Sequence, residues 1–185
     1  TKNIKGAAVL NNGFTAAYAG GDGKALFDTE HPTLAGSFSN ELTTPAELNE
    51  TSLEEALINI AAFTDERGLK IAAQGMKMII PSALQFTAER LMKSEGRTGT
   101  ADNDINAIKS MGMVPQGYAV NHYLTAAKKW FIKTDVPNGM KHFERAPITT
   151  KMEGDFDTGN VRYKARERYV FGFSDPRGAF GSNAT

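Results

Sequence analysis

NVRYKARERYVFGF, residues Asn160–Phe173, reads with a period of two. Arg162, Lys164, Arg166 and Arg168 fall on one side, and Val161, Tyr163, Ala165, Tyr169, Phe171 and Phe173 on the other. Glu167 is the only charge on the apolar side. Successive side chains leave a pleated backbone on opposite faces, so this alternation predicts a half-buried strand. At about 3.3 Å per residue it would span roughly 45 Å, far beyond the usual strand of five or six residues. A strand of that length crosses a domain or reaches out of it.

The arm before it carries Glu153, Asp155 and Asp157, again alternating, and Thr158-Gly159 offers a turn. A two-residue loop there would set Asp155 opposite Arg162 and Glu153 opposite Lys164. Each such cross-strand pair is worth about 0.2–1 kcal/mol. Register is the larger effect, because a one-residue slip would oppose like charges and turn the aromatic side to water.

The rest of the chain is read outward from this hairpin. Residues Lys2–Asn12 fit the end of a helix stopped by Asn11-Asn12-Gly13, since Asn and Gly tolerate a left-handed cap. Gly20–Gly23 is a tight turn, Lys24–Phe27 a short strand, and 33–50 a loop. A helix is expected over Leu53–Asp65, with Ser52 and Glu55 as a capping box, Leu53, Leu57, Ile60 and Ala61 on its inner face and Gly68 at its end. Leu69–Ala72 and Lys77–Ile80 read as strands. Ser82 and Gln85 open a second helix to Ser94, with Leu84, Ala88, Leu91 and Met92 buried. After the polar loop Arg97–Asp104 and a turn at Ile105–Met111, strands are expected at Gly117–Asn121, Lys129–Thr134 and Gly139–Phe143. Trp130 and Phe131 would be core and rim, and Pro137-Asn138-Gly139 a hairpin turn. The fold class is α+β.

The 185 residues carry 21 Lys+Arg against 21 Asp+Glu. A zero net charge argues against a dedicated nucleic-acid binder and suits a protein that associates with itself. With 41% hydrophobic and 23% charged residues the chain is expected to be globular and soluble. It has no cysteine, which removes disulfides, thiolate metal sites and cysteine nucleophiles. No apolar run reaches the roughly 18 residues of a membrane span. The chain begins with Thr, which suggests processing or the remainder of something longer.

No catalytic constellation emerges. His31, His122 and His142 lie far apart without ligand spacing, and His31-Pro32 reads as a turn. Asp102–Asp104 and Asp155–Gly159 miss the calcium-loop pattern, and Gly20–Gly23 lacks the Lys-Ser/Thr of a phosphate loop. The basic row could meet nucleic acid, but the neighbouring acidic arm would neutralise half of it. A hydrolase using Asp155 and Asp157 would need burial to separate their pKa values, which an exposed hairpin does not give. No cofactor or metal is implied.

Two sets of residues carry a resemblance. KALFDTEHP at 24–32 and MIIPSAL at 78–84 running into FTAER at 86–90 are one; FERAP at 143–147, 152–160, RERY at 166–169 and SDPRG at 174–178 are the other. In this order they resemble the major head proteins of tailed bacteriophages, close to the Mu-type head subunit within the Hong Kong 97-like capsid fold. The resemblance implies a peripheral domain with a long spine helix and an axial domain at the capsomer centre. By it, residues 1–94 hold the end of the spine helix (1–12) and peripheral elements. Residues 95–150 are mostly axial, and 151–185 are a hairpin returning to the periphery. The N-terminal arm and extended loop of such proteins are not in this chain.

Functionally the resemblance implies a structural subunit, not an enzyme. It would self-assemble into pentamers and hexamers that close an icosahedral shell around the genome, in the virion, after assembly in the bacterial host cytoplasm. Scaffold, portal and maturation protease would be partners, packaged DNA only non-specifically, and a membrane not at all. Arg166, Arg168, Asp175 and Arg177 are the candidate intersubunit contacts. The competing readings are a nucleic-acid packaging or head-decoration protein and the carboxylate hydrolase.

Overall fold

The computed structural model describes residues 1–97, 104–154, 157 and 159–185. The elements, in order, are α1 (Lys2–Asn11), β1 (His31–Thr33), β2 (Gly36–Phe38), α2 (Glu50–Ala61), β3 (Gly75–Ile80), α3 (Gln85–Lys93) and α4 (Ala107–Ser110). They are followed by β4 (Tyr118–Val120), β5 (Trp130–Thr134), β6 (Met140–Gly154), β7 (Val161–Phe173) and β8 (Ala179–Ser182), with 3₁₀ turns at Ala16–Tyr18, Ser82–Leu84 and Pro176–Gly178. The expected α+β content is present, as helices packed on one mixed sheet with a separate long ribbon.

The sheet has the order β4-β3-β5-β8; β4 runs parallel to β3, and the other neighbours are antiparallel. Its centre is WFIKT of β5. Trp130 and Ile132 point to one face and are fully buried with Met78, Ile80, Leu53, Leu57, Ile60 and Phe180. Phe131 points the other way, into a second core with Leu10, Leu26, Phe27 and Ala179. Phe131 is therefore not at a rim, and its ring stacks on Phe27 at 5.2 Å with Phe14 beyond. A continuous apolar run in a central strand signals cover on both faces.

Local chemistry moves several boundaries. α2 starts three residues early because Asn49, not Ser52, is its cap: Asn49 Oδ1 accepts from Ser52 N, and Ser52 Oγ accepts from Asn49 N. Ser52 is thus the third helical residue of the box. Ala56, not Ala61, joins the buried face. Asn12 ends α1 without a left-handed turn, at φ −100, by donating its side-chain amide to Ala8 O.

Ala25–Phe27 are buried, but Lys24–Phe27 forms no strand. The strand pair in that region is β1–β2, where a turn and loop were expected. Leu69–Ala72 contributes only an isolated bridge, Thr64 to Lys70. The cap expected from Ser82 makes no side-chain hydrogen bond, and a 3₁₀ turn precedes α3.

Pro137–Gly139 does turn, with Asn138 at φ 62, but β5 and β6 do not pair across it. The chain leaves the sheet there, runs out along β6, returns along β7 and re-enters as β8. Gly139 and Gly178 make this crossing possible. A Cβ on Gly178 would lie 2.3 Å from Gly139 Cα, so the two backbones touch where the ribbon joins the body.

Candidate assembly surface

β6 and β7 form an antiparallel two-stranded arm. Gly154 lies opposite Val161, so the connection is six residues long, 155–160. The expected tight turn includes Thr158, and the expected pair Asp155–Arg162 includes Asp155; both residues lie outside the described ones. Glu153 faces Arg162, two residues from the expected register, and Lys164 faces Lys151. Odd still pairs with even, because both registers close an even loop.

Nearer the body the pairing shifts between Thr149 and Ala146 and again between Ala146 and Glu144. Pro147 sits inside this double bulge. It has no N–H to give to the ladder, and a bulge is where a strand tolerates that.

The pairing sorts the arm into two faces. Tyr163, Met152, Ala165, Glu167, Tyr169, His142 and Phe171 share one. Arg162, Lys164, Lys151, Arg166, Arg168, Val170 and Phe143 share the other.

The first face is covered only near the body. There Phe171 packs over Gly6 of α1, His142 stacks on Phe171 at 4.6 Å, and Tyr169 meets Phe171 edge-on. Lys2 pairs with Glu167 and lies over the Tyr169 ring, so the lone acid of the apolar row has its partner on α1. The Glu167 hydrogen bond holds the Lys2 ammonium above its usual value.

Beyond Glu167 the half-buried strand does not materialise: residues 148–154 and 161–166 are exposed on both faces. α1 lies along the inner part of β7, at Glu167 to Phe171. α1 has 10 residues, or about 15 Å at 1.5 Å each, against roughly 43 Å for the 13 residues of β7. Tyr163 and Met152 are left 68% and 74% exposed on the apolar face.

Among the described residues Lys151, Lys164, Arg166 and Arg168 make no ion pair. In the described register Glu153 is the acid opposite the row, across from Arg162.

Arg177 and Asp175 are placed elsewhere. Arg177 is buried under the 3₁₀ turn before β8, where Nε donates to Thr64 O at 2.7 Å. Its guanidinium pairs with Glu66 and Asp175 and lies 4.9 Å from the Phe38 ring centre. Asp175 caps the turn by accepting from Arg177 N. Both side chains join segments of one subunit.

A second polar cluster was not foreseen. His31 Nδ1 lies 2.6 Å from Asp22 Oδ2 and Nε2 lies 3.1 Å from Asn40 Oδ1. Asn40 Nδ2 donates to the carbonyls of Leu26, Pro176 and Ala179, which fixes its oxygen toward His31 and Asp28 N. The sequence signal that could have found it is the pairing of a buried strand histidine with Asn40, nine residues on. His122 and His142 are exposed. Asp157 is exposed and Asp155 is outside the described residues, so the carboxylate pair gains no buried site. No group of three metal-ligating side chains occurs among the described residues, and no helix there is long and apolar enough to cross a membrane.

A long two-faced arm projects from a sheet-and-helix body and is exposed along its outer part on both faces. The profile of the phage capsid proteins matches residues 1–181, and the chain belongs to that family. No curated protein matches the sequence. Among solved structures it is similar to the virus-like particle protein of Pyrococcus furiosus (12% identity, 78% of this chain and 56% of that one, TM-score 0.47). It is similar also to a protein of Mycobacterium phage Che8 (14%, 95% and 58%, 0.48) and to the capsid of an empty GTA particle (16%, 92% and 60%, 0.49). The chain spans 56–60% of the length of these proteins.

Proposed function

We propose that this protein is the structural subunit of a bacteriophage head, joining copies of itself into rings of five and six that close an icosahedral shell around the genome. The supporting observation is the family match over residues 1–181, on a chain whose arm is exposed along its outer half on both faces. Two-stranded ribbons are marginal alone in water, so an arm of 15- and 13-residue strands calls for a neighbouring surface. α1, the expected end of a spine helix, lies against β7, and the two would form the peripheral part together. Arg166 and Arg168 are the cations this reading assigns to subunit contacts; Asp175 and Arg177 would act through the rigidity of the arm's base. Scaffold, portal and protease are the partners such a role brings, in the virion and in the host cytoplasm where it forms.

The test is the assembly state of the full-length gene product. Sedimentation and electron microscopy should show rings or shells, and a stable monomer at all concentrations would overturn the reading. A nucleic-acid packaging or decoration role is the second reading, favoured by Lys151, Lys164, Arg166 and Arg168, which make no ion pair among the described residues. Salt-dependent DNA binding by a subunit that forms no ring would establish it.

A further inference from the structure

The protein's charge is balanced in total and segregated in space. Between Lys24 and Arg67 the sequence has nine carboxylates and no Lys or Arg. Several of the nine are engaged inside the chain: Glu47 with Lys128, Glu50 with Arg97 and Glu66 with Arg177. Glu54 and Glu55 are not; they make no ion pair among the described residues. Both sit on α2 at helical spacing with Thr51 and Ile58, which puts the four on one stripe. The opposite side of α2, with Leu53, Leu57 and Ile60, is buried. The stripe is thus outward, with Ile58 68% exposed beside two carboxylates.

The arm presents the complement. Lys164 and Lys151 face each other across the ribbon, a like-charge pair that destabilises an isolated hairpin. Arg166 and Arg168 continue the row, and toward the body comes the exposed apolar pair Phe143 and Val170. This face is cationic from Lys151 and Lys164 to Arg168, with Glu153 opposite Arg162 farther out, and apolar toward the body; the α2 stripe is anionic with an apolar residue at one end. Among the described residues no ion pair joins Glu54 or Glu55 to the arm of their own subunit.

We infer that the basic face of β6–β7 docks on the outward stripe of α2 in a second copy of this chain, with Lys164 and Arg166 against Glu54 and Glu55. The inference rests on the shell reading and names the surface on each side of the contact. It is a heterologous contact, arm to helix, and such contacts repeat head to tail and close into rings when the rotation allows. External carboxylates would relieve the Lys151–Lys164 repulsion, so an arm costly in the free subunit becomes favourable in the ring. Opposed rows of this kind mainly steer association and fix its geometry, and salt screens them.

A charge swap in the full-length protein tests this directly. Lys164→Glu with Arg166→Glu should lower ring or shell yield at least tenfold, and so should Glu54→Lys with Glu55→Lys. The four changes together should restore assembly. Because the chain has no cysteine, Arg166→Cys with Glu55→Cys gives a second readout: oxidation should produce disulfide-linked ladders that need no correct charge. Wild-type shells with unaffected double variants, with no rescue in the quadruple variant, or with no ladder would overturn this pairing alone. A wild-type protein that stays monomeric would overturn the shell reading as well. If the arm variant loses duplex-DNA binding but assembles normally, the basic face belongs to nucleic acid and the pairing is wrong.

Discussion

Asn40 shows how much of this fold hangs on single polar groups. Its amide donates to three carbonyls from two distant segments, at 2.7, 2.9 and 3.2 Å. The oxygen that remains must accept, so His31 Nε2 donates to it, and the imidazole bridges Asn40 to Asp22. Burial pushes the Asp22 carboxyl up, but the His31 hydrogen bond, the Lys24 N–H and the charge of the imidazole outweigh it and hold it below the usual carboxylate range. A carboxyl depressed on folding contributes stability above its unfolded pKa, about 3.9, and loses it as pH falls through the folded value. Unfolding free energy of the wild type should therefore drop as acid is added below about pH 4. Asp22→Asn should be less stable at pH 7 by about 1–3 kcal/mol and flatter in that acid range. Urea titrations at pH 7 and pH 3 check both, and an unchanged acid slope in the variant would refute the role given to Asp22.

Elements show where sequence reading succeeds. The 3.6-residue pattern of α2 and the alternation of β7 are legible because each repeats over many residues, so that boundary errors cost little. The cap of α2 is ambiguous in sequence because Ser52 fits two positions of a capping box, and only the Asn49–Ser52 hydrogen bonds decide between them. β1, β2 and β8 escape sequence reading because they are three or four residues long and owe their pairing to tertiary partners. Alternation in β7 defines the two faces but not what covers them, since a strand's own pattern does not name the element packed against it. The hairpin register differs by two from the expected one because the pattern constrains parity while the loop sets the offset. At this scale the arm's base is the most demanding junction. Gly178→Ala, or Gly139→Ala, would push a methyl group into backbone that cannot yield as a side chain does. Overpacking of this kind costs about 1–3 kcal/mol. Thermal unfolding should show the loss, while Gly154→Ala, which meets nothing within 4 Å, should be close to neutral by the same assay.

At the scale of the whole molecule the buried cores and the outer arm are separate, and the proposed assembly would fall to the arm. Both buried cores lie in the body: α2 and α3 pack on one face of the four-stranded sheet, and Phe14, Phe27 and α1 on the other. Residues 147–154 and 161–166 contribute no buried side chain to either. Exposure of the proposed contacts was legible only in part. Arg166 and Arg168 are exposed on the arm, whereas Arg177 resembled them in sequence and is buried, because the fold of the 3₁₀ turn lies outside what charge and spacing report. Replacing residues 146–167 by Asn-Gly would keep the inner pairs from Met140–Phe173 to Glu144–Tyr169 and the packing of Phe171 on α1. It removes the Lys2–Glu167 pair, which solvent around the Lys2 ammonium keeps weak. The shortened protein should unfold within about 1 kcal/mol of wild type, the scatter of a surface change, and form no rings at concentrations where wild type does. Circular dichroism melting and sedimentation velocity on the same samples separate the two effects. Loss of the folded body would show that the outer arm stabilises the subunit, and retained rings would show that the shell is held together elsewhere.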